Sequence, residues 1–355
     1  MFQHGNIQRL WNNHGGQKMK DERMYLLTGA AGFLGNNIAR QLLEKGCLVR
    51  GLVLKGDKAV KYVPDGVEIV YGDLTDKKSL EEFFTVDDQR VVCIHCASIV
   101  YLKEEPNELV RRVNVDGTQN IIDMCLKKNV EKLVYVSSTG TISELPNGER
   151  MKEPEDFELN EIIGYYGKTK AMATQLVFDA VKEKGLKATV VYPTGICGPN
   201  DYAGGPVSTF IEQYCSGGNK VGFPGSFNSV DVRDLAAGTI AAVDRGRIGE
   251  GYILGNDVVG MRDMFSYISK ASGVKMAKII LPMPVTKFIV KVSTLVAKIT
   301  KKDPFITEFM VYNLVRNNEF DSSKAKKELG YYTRPFSETI YDEVQWLRAE
   351  NRIAA

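Results

Sequence analysis

The sequence predicts an α/β fold, a doubly wound parallel sheet joined to a smaller, discontinuous C-terminal α/β part. Short apolar runs alternate with segments of helical periodicity along residues 24–195. The first run leads into a glycine-rich turn and a capped helix, and glycine-rich loops become frequent only after residue 195. At 355 residues the chain is long for one compact domain, so a main domain with a second part is expected.

The first α/β unit begins with the apolar run 24–27. Gly29, Gly32 and Gly35 follow with the spacing G-x-x-G-x-x-G, and the next segment has one apolar helical face and ends at Gly46. Gly29 permits a tight turn, Gly32 lets the backbone approach a pyrophosphate, and Gly35 lets the helix pack closely on the strand. Because a helix N-terminus favours an anion, this unit predicts a dinucleotide site; the alternative is a tight turn without a ligand.

The second strand, residues 48–54, ends where the adenosine ribose of a dinucleotide would lie. An acid there would accept a hydrogen bond from the 2′-hydroxyl of NAD, whereas a cation suits the 2′-phosphate of NADP. Lys55 follows the strand, and Arg50 or Lys58 could join it in binding the 2′-phosphate, which favours NADP. NAD is the alternative if Asp57 reaches the ribose. The competing interpretation is that these lysines are ordinary solvated side chains.

Four more apolar runs predict the remaining strands of the sheet: residues 67–71, 91–95, 132–137 and 190–194. After the second of these runs, small residues around Ala97 allow the backbone to pass beside a cofactor, and His95 is interpreted as structural. The third run places Ser138 at its carboxyl end, which is where open α/β sheets carry their chemistry.

A tyrosine and a lysine stand at helical spacing after a polar loop. Tyr166 and Lys170 are four residues apart, so their side chains share one face of a helix, whereas Tyr165 has no lysine four residues on. An ammonium beside a phenol favours the phenolate, so we expect Lys170 to lower the pKa of Tyr166 from its usual value of about 10. Such a pair is common by chance, but next to a strand-end hydroxyl and a glycine turn it indicates an active site.

These motifs together resemble the short-chain dehydrogenase/reductase superfamily. The run Thr28-Gly29-x-x-Gly32-Phe33-Leu34-Gly35 is similar to the glycine turn of its extended, epimerase/dehydratase branch. Within that branch the chain is most similar to dihydroflavonol 4-reductase-like and 3β-hydroxysteroid dehydrogenase-like proteins. The resemblance implies a Rossmann-type fold, with Tyr166 as the proton donor or acceptor at the substrate oxygen, Ser138 polarising that oxygen, and Lys170 tuning the tyrosine and holding the cofactor ribose.

The family pattern extends to further positions. Asp73 and Leu74 resemble its adenine clamp, and Asn114 lies in a segment similar to its Asn-Val-x-Gly-Thr helix, where it either supports the site or bonds to its own backbone. The resemblance implies that NADP, or alternatively NAD, is held by Gly29, Gly32, Phe33, Leu34, Gly35, Lys55, Asp73, Leu74, Ala97, Tyr166, Lys170 and Pro193.

The sequence divides into a tail, a dinucleotide-binding domain and a substrate-binding part. These are residues 1–23, residues 24–195 with 228–250, and residues 196–227 with 251–355, respectively. The segment 285–299 carries an apolar stripe at helical spacing and is too short to span a bilayer. We favour core packing for this stripe; the alternatives are a lid over a lipid-like substrate and a weak membrane-surface contact.

Composition argues against several classes of protein. A net charge of +2, from 46 basic and 44 acidic residues, gives no electrostatic footprint for nucleic acid. The first 23 residues are polar and lack the apolar run of a signal peptide, so we expect a flexible tail and a reduced, cytoplasmic setting. Cys93 and Cys96 have C-x-x-C spacing but no second cysteine pair nearby, so no metal site is predicted.

The sequence therefore predicts an NAD(P)-dependent oxidoreductase that interconverts a ketone and a secondary alcohol on a hydrophobic, sterol-like or flavonoid-like ring substrate, as a monomer or homodimer. A nucleotide-sugar epimerase of the same superfamily is the alternative, although the arginine common before the sixth-strand turn of such enzymes is replaced by Val191-Tyr192-Pro193. Dehydration is disfavoured because Thr139-Gly140 stands where dehydratases carry Asp-Glu. A non-catalytic NADP-binding protein is a minor alternative.

Overall fold

The computed structural model describes residues 23–87, 89–218, 220–301 and 306–354. The predicted flexible tail therefore lies outside the described residues, apart from Arg23. The guanidinium of Arg23 donates a hydrogen bond to Asp244 at 2.7 Å.

The strands are β1 Met24–Thr28, β2 Leu48–Val53, β3 Val67–Tyr71, β4 Val91–His95, β5 Lys132–Val136, β6 Ala188–Pro193, β7 Gly195–Cys197, β8 Val221–Gly222, β9 Ser226–Asp231, β10 Gly251–Leu254, β11 Val258–Gly260 and β12 Ile279–Ile280. The helices are α1 Phe33–Glu44, α2 Leu80–Phe84, α3 Glu108–Arg111, α4 Gly117–Lys127, α5 Tyr165–Lys184, α6 Pro206–Cys215, α7 Val232–Arg245, α8 Met261–Ser272, α9 Met283–Thr300, α10 Glu308–Val315, α11 Ser323–Leu329 and α12 Phe336–Ala349. Short 3-10 turns at Lys58–Tyr62, Lys77–Ser79 and Thr139–Thr141 and a π-helical turn at Arg112–Asp116 complete the regular structure of the described residues.

Seven strands form one parallel sheet in the order β10-β6-β5-β4-β1-β2-β3. The predicted α/β fold with a doubly wound parallel sheet is confirmed. The register aligns Thr28 with Leu52 on one side and with His95 on the other, and aligns His95 with Tyr135. The residues that follow these strands therefore meet at a single edge of the sheet.

Two apolar layers cover the faces of this sheet because alternate residues of each strand point to opposite sides. Strand residues such as Leu27 and Ile94 pack with α1, α7 and α11 on one face. Residues such as Leu26 and Cys93 pack with α2, α4 and α5 on the other. The strands are buried on both faces, and this explains why they read as apolar runs rather than as alternating patterns.

Strand β10 lies at one edge of the main sheet, beyond the residues that the sequence analysis assigns to the dinucleotide-binding domain. The sequence pattern assigns residues 251–254 to the substrate-binding part, but β10 pairs with β6 at the edge of the main sheet. A four-residue strand after a glycine turn is too short to show a period. The smaller part contains a three-stranded sheet, β11-β9-β7, and the pair β12-β8, packed with α6, α8 and α12.

The apolar segment 285–299 forms the predicted helix, α9, but the favoured interpretation of core packing is wrong for most of its apolar stripe. The buried side of α9 consists of Thr286, Val290 and Ser293, and Val290 packs with α10. The large apolar side chains of the stripe face solvent instead. In the described part of the chain, no helix combines the length and apolar character needed to cross a membrane.

A clamp joins the loop 144–151 to the segment 312–321. Glu144 accepts hydrogen bonds from the Tyr312 hydroxyl at 2.6 Å and from the backbone N–H of Asn317 at 2.8 Å. The side-chain amide of Asn317 lies within 2.8–3.1 Å of the carbonyl oxygens of residues 145, 146 and 149. A parallel bridge between Met151 and Phe320 closes the clamp, which thus fixes the loop that follows the β5 edge to the smaller part.

Candidate active site

The glycine turn after β1 is closed too tightly for side chains. Gly29 has φ +72°, and a Cβ on it would lie 3.0 Å from the backbone of Ala97. A Cβ on Gly35 would lie 2.1 Å from the carbonyl oxygen of Gly29, so no other residue fits there. A Cβ on Gly32 would meet only that same oxygen, at 3.2 Å. The backbone of Gly32 is extended, and α1 begins directly after it with Phe33 and Leu34. The turn therefore presents bare backbone at a helix N-terminus, an arrangement suited to an anion.

The charged residues in and after β2 that could contact a cofactor ribose or its phosphate differ in their surroundings. Lys55 and Lys58 are exposed. Asp57 accepts a hydrogen bond from the backbone N–H of Ala59 at 2.8 Å and so caps the turn 58–62. Arg50 is turned away from the strand end: its guanidinium donates to the carbonyl of Thr85 at 2.6 Å and pairs with Glu68. The two lysines are thus the cations that this strand end offers to a ligand.

Asp73 and Leu74 follow β3 and tie its end to α4. One carboxylate oxygen of Asp73, Oδ1, accepts from both the backbone N–H and the hydroxyl of Thr75 at 2.8 Å. Leu74 is buried, its carbonyl accepts from the side chain of Asn120 at 2.8 Å, and its Cβ lies against Gly117 at the start of α4. The pair is thus held rigidly at the carboxyl edge of the sheet.

His95 belongs to a closed hydrogen-bond network below the site. The Thr118 hydroxyl donates to the Asn114 carbonyl at 2.7 Å, so it accepts from His95 Nε2 at 3.1 Å. The Thr28 hydroxyl accepts from the backbone N–H of Ala97 at 3.1 Å and lies 2.6 Å from His95 Nδ1. Because Nε2 is the donor and a neutral imidazole has one N–H, Nδ1 of the neutral ring accepts from the Thr28 hydroxyl. Burial, assisted by the charge of Lys170, lowers the pKa of His95 to about 3, which agrees with a structural role.

Tyr166 lies in the first turn of α5, where its phenol is close to the side chains of Ser98 and Ser138. Ser138 in turn accepts from the backbone N–H of Gly140 at 3.1 Å, which fixes its hydroxyl at the end of β5. Burial raises the pKa of Tyr166, and the neighbouring Ser98 and Ser138 side chains oppose that rise. Ser98 was not singled out from the sequence; the available signal was a hydroxyl residue just after a strand of the sheet.

Lys170 does not act on Tyr166 as expected. Both are on α5, but the ammonium of Lys170 donates to the carbonyl of Val136 at 2.6 Å and lies 4.3 Å from the ring centroid of Tyr135. Burial lowers the pKa of Lys170 to about 7, so at neutral pH much of its charge is lost. The expected lowering of the Tyr166 pKa by Lys170 is therefore wrong in this structure, because burial dominates both groups.

Asn114 joins two segments that border Tyr166. It lies in the π-helical turn 112–116, and its side chain exchanges two hydrogen bonds with the backbone of Ile99 at 2.8 and 3.0 Å. Its amide also donates to the Thr169 hydroxyl at 3.1 Å, and that hydroxyl donates to the carbonyl of Tyr166 at 2.8 Å. Of the two interpretations of Asn114, this geometry favours support of the site over a local backbone bond.

The end of β6 completes the edge. The Thr139 hydroxyl donates to the carbonyl of Pro193 at 3.1 Å, which ties the turn after β5 to the end of β6. The hydroxyl of Thr194 is buried and has no hydrogen-bond partner within the described residues. The structure thus brings the predicted glycines, Ala97, Ser138, Tyr166, Lys170 and Pro193 to one edge. Nowhere in the described ranges do His, Cys, Asp and Glu side chains form a group that could hold a metal ion.

The sequence of the chain matches a known family. Residues 25–275, which are most of the chain, match the model of the NAD dependent epimerase/dehydratase family. The chain belongs to this family. The predicted relationship to the extended short-chain dehydrogenases/reductases is confirmed, and the chain is an enzyme of the NAD(P)-dependent oxidoreductase type.

Curated relatives within this group have names that agree with the predicted likeness. A Synechocystis sp. protein with the provisional name dihydroflavonol 4-reductase is 28% identical over 331 residues, covering 91% of this chain and 94% of the relative. The decarboxylating sterol-4-alpha-carboxylate 3-dehydrogenase of Saccharomyces cerevisiae is 30% identical over 348 residues, covering 91% of this chain and 97% of the relative. The family thus includes proteins named for both substrate types predicted from the sequence.

Solved structures share this fold over nearly the whole chain. The crystal structure of gox2253 has a TM-score of 0.81 at 31% identity and covers 94% of this chain and 99% of its own. UDP-glucose 4-epimerase of Thermus thermophilus, in complex with NAD, has a TM-score of 0.72 at 23% identity, covering 92% of this chain and 99% of its own. The Rossmann-type architecture is therefore confirmed, and the family binds a nicotinamide dinucleotide.

Proposed function

We propose that this enzyme interconverts a ketone and a secondary alcohol on a hydrophobic ring substrate of sterol-like or flavonoid-like character. The observation that carries the proposal is the Tyr166 phenol, placed beside the hydroxyls of Ser98 and Ser138 at the sheet edge that also holds the glycine turn. A protonated phenol beside a serine hydroxyl can supply one proton to a substrate oxygen, and a nicotinamide supplies the matching hydride when it is bound.

The residues of the edge fit a dinucleotide. Side chains are excluded at Gly29 and Gly35, so backbone N–H groups can reach a pyrophosphate. Asp73 uses one carboxylate oxygen for Thr75, and we assign its second oxygen to the adenine amine, with Leu74 against the ring. Lys170 would hold the ribose, and Ala97 and Pro193 would line the path of the cofactor.

The proton step follows from the burial of Tyr166. Since burial raises its pKa, the phenol stays protonated at neutral pH and is ready to donate to a carbonyl oxygen. Ser138 would donate a second hydrogen bond to that oxygen and stabilise the charge that develops on it. Asn114 would keep the Ile99 backbone and α5 in register, so that Ser98 and Tyr166 remain in contact.

Apolar side chains around Tyr166 support a hydrophobic substrate. The ring of Phe309, on α10, lies so close to Gly164 that a Cβ there would approach it to 2.5 Å. The ring centroids of Tyr101 and Tyr165 are 6.5 Å apart, and Val100 and Ile163, close to them in the sequence, are 62% and 46% exposed. A rim of aromatic and aliphatic groups suits fused rings better than a sugar diphosphate, which needs cations.

We propose NADP as the preferred cofactor. Lys55 and Lys58 are exposed after β2, and the capping hydrogen bond of Asp57 to Ala59 holds that carboxylate at the backbone. The 2′-phosphate of NADP would then meet two cations, whereas a ribose diol would find no acceptor committed to it. We also propose that residues 24–195 and 228–254 carry the cofactor and that the rest of the described chain carries the substrate.

A substrate panel tests the reaction class. The purified protein is mixed with NADPH or NADH and with ring ketones of the steroid and flavonoid types, and loss of reduced-cofactor absorbance is followed. We expect turnover with at least one ring ketone and none of the interconversion of UDP-sugars that an epimerase would show. Interconversion of UDP-sugars without turnover of any ring ketone would support the epimerase alternative, and cofactor binding without turnover of either class would support a non-catalytic protein.

A further inference from the structure

Helix α9 presents its large apolar side chains to solvent and its small or polar ones to the protein. Thr286, Val290 and Ser293 are buried. The outward side chains are between 41% and 73% exposed and recur at helical spacing, forming one stripe: Val285, Phe288, Val292, Leu295, Val296 and Ile299. A helix that covers a core buries its large apolar side chains, whereas α9 exposes them. A contiguous apolar surface of this kind marks an interaction site.

All the charged side chains of the same helix are cationic. Between residues 283 and 301 the sequence contains four lysines, Lys287, Lys291, Lys298 and Lys301, and no Asp or Glu. Lys287, Lys291 and Lys298 are separated by four and seven residues, so they lie along one flank of the apolar stripe. Lysines at the edge of an apolar stripe can lay their aliphatic stems on the surface and extend their charges to anionic groups.

We propose that α9 lies flat on an anionic phospholipid bilayer, with the stripe inserted among the acyl chains near the headgroups and the lysines paired with lipid phosphates or carboxylates. An apolar stripe bordered by lysines is the pattern of helices that rest in the membrane interface. The cytoplasmic leaflet of cell membranes carries the negative charge that such a helix requires.

Charge distinguishes this occupant from a second copy of the chain. The spacing of the stripe would also suit a helix pair. Two copies of α9, however, would bring lysines together at the borders of the seam with no acid on either helix to pair with them. Anionic lipid supplies the missing opposite charge, so the charge pattern complements a bilayer rather than another α9.

The position of α9 connects this surface to the mouth of the candidate active site. Val290 of α9 and Val311 of α10 belong to one small apolar cluster. Phe309, also on α10, packs on Gly164, two residues before Tyr166. A bilayer under α9 is therefore one helix away from the apolar rim of the site, which would allow a lipid-soluble substrate to enter without crossing water.

Vesicle flotation tests the docking surface without any substrate or cofactor, so its result is independent of the proposed reaction. The whole protein is floated with vesicles of phosphatidylcholine alone or with added phosphatidylserine. We expect binding only with phosphatidylserine, weakened by salt. The variant Phe288→Gln/Ile299→Gln should lower the partition coefficient at least ten-fold, because two exposed apolar anchors are lost. Lys291→Gln/Lys298→Gln should remove the preference for phosphatidylserine.

The matched control is Ile248→Gln, which removes a side chain exposed to 52% on the turn after α7 and should leave binding unchanged. All three variants alter exposed side chains, so their melting temperatures should match that of the parent. Failure of the parent to float with anionic vesicles would overturn the proposal, as would equal flotation of parent and Phe288→Gln/Ile299→Gln. A dimer in sedimentation velocity that this variant dissociates would assign the stripe to a second copy instead.

Discussion

Tyr166 and Lys170 show how far side-chain spacing predicts the chemistry of a site. The interval of four residues correctly placed both side chains on the same helix near a strand-end serine. It did not predict their protonation, because the burial that governs both pKa values depends on all the elements around them. Sequence spacing gives proximity, whereas desolvation is a property of the assembled fold.

Tyr166→Phe is the first test at the residue scale. The ring is retained and only the hydroxyl, with its transferable proton, is lost, so we expect turnover to fall at least 10²-fold, the lower end of the contribution of general acid catalysis. Cofactor affinity, measured by fluorescence titration, should change only slightly. Tyr165→Phe is the matched control on the neighbouring residue and should retain most activity; equal loss in both variants would argue against the assigned proton donor.

Cofactor choice is tested at Lys55. A charge-assisted contact to phosphate contributes about 1.5–3 kcal/mol, which corresponds to roughly ten-fold or greater discrimination. NADPH should therefore bind at least several-fold more tightly than NADH, and Lys55→Glu should reverse the order in a titration of both cofactors. Lys45→Glu, exposed at the far end of α1, should leave the ratio unchanged. A preference of the parent protein for NADH would refute the NADP proposal and leave the reductase proposal intact.

At the scale of elements, the long apolar runs were predictable and the exceptions have physical causes. Strands buried on both faces carry a strong signal, so six strands of the main sheet were located from the sequence. Strand β10 was missed because four residues show no period, and the inverted orientation of α9 depends on which neighbour it meets. The π-helical turn at 112–116 has the same apolar spacing as an α-helix and could not be distinguished from one.

Asn114→Ala tests what the π-helical turn contributes. The change removes the bonds to Ile99 and Thr169 and leaves buried backbone groups unpaired, which costs about 1–3 kcal/mol of folding free energy. Chemical denaturation should show this loss, and turnover should fall further than stability alone explains, since Ser98 and Tyr166 lose their common support. Gln119→Ala, which removes a bond to Asp123 on the surface of α4, should be mild in both assays.

At the scale of the whole molecule, a buried acidic cluster joins two segments of the substrate-binding part that are far apart in the sequence. Glu343 of α12 accepts from the backbone N–H of Gly198 at 3.0 Å. The Ser208 hydroxyl lies 2.8 Å from Glu343 and 2.7 Å from Asp201, yet it has a single proton. One carboxyl must therefore donate a proton itself. Burial, assisted by the charges of Asp201 and Asp231, raises the pKa of Glu343 to about 8, which identifies it as the donor.

The raised pKa makes stability depend on pH. In the unfolded chain Glu343 ionises near 4.5, whereas in the folded protein it keeps its proton until about pH 8. Between these values the folded state binds more protons than the unfolded state, so the stabilisation present below pH 4.5 is lost as pH rises through 8. Glu343→Gln should flatten the dependence of melting temperature on pH in this window. Glu338→Gln, exposed on the same helix, should not; an unchanged profile in Glu343→Gln would assign the pH dependence elsewhere.

The Asn317 clamp has a consequence for the motions of the molecule. Its side chain bonds to the 145–149 loop while its backbone N–H bonds to Glu144, so we expect the two segments to be released together. Their backbone amides should then exchange hydrogen for deuterium at one common rate, followed by mass spectrometry. Asn317→Ala should separate the two rates, and Asn313→Ala, whose side chain bonds only within α10, should not. The loop after the Ser138 turn and the segment 312–321 of the smaller part would thus open as one unit.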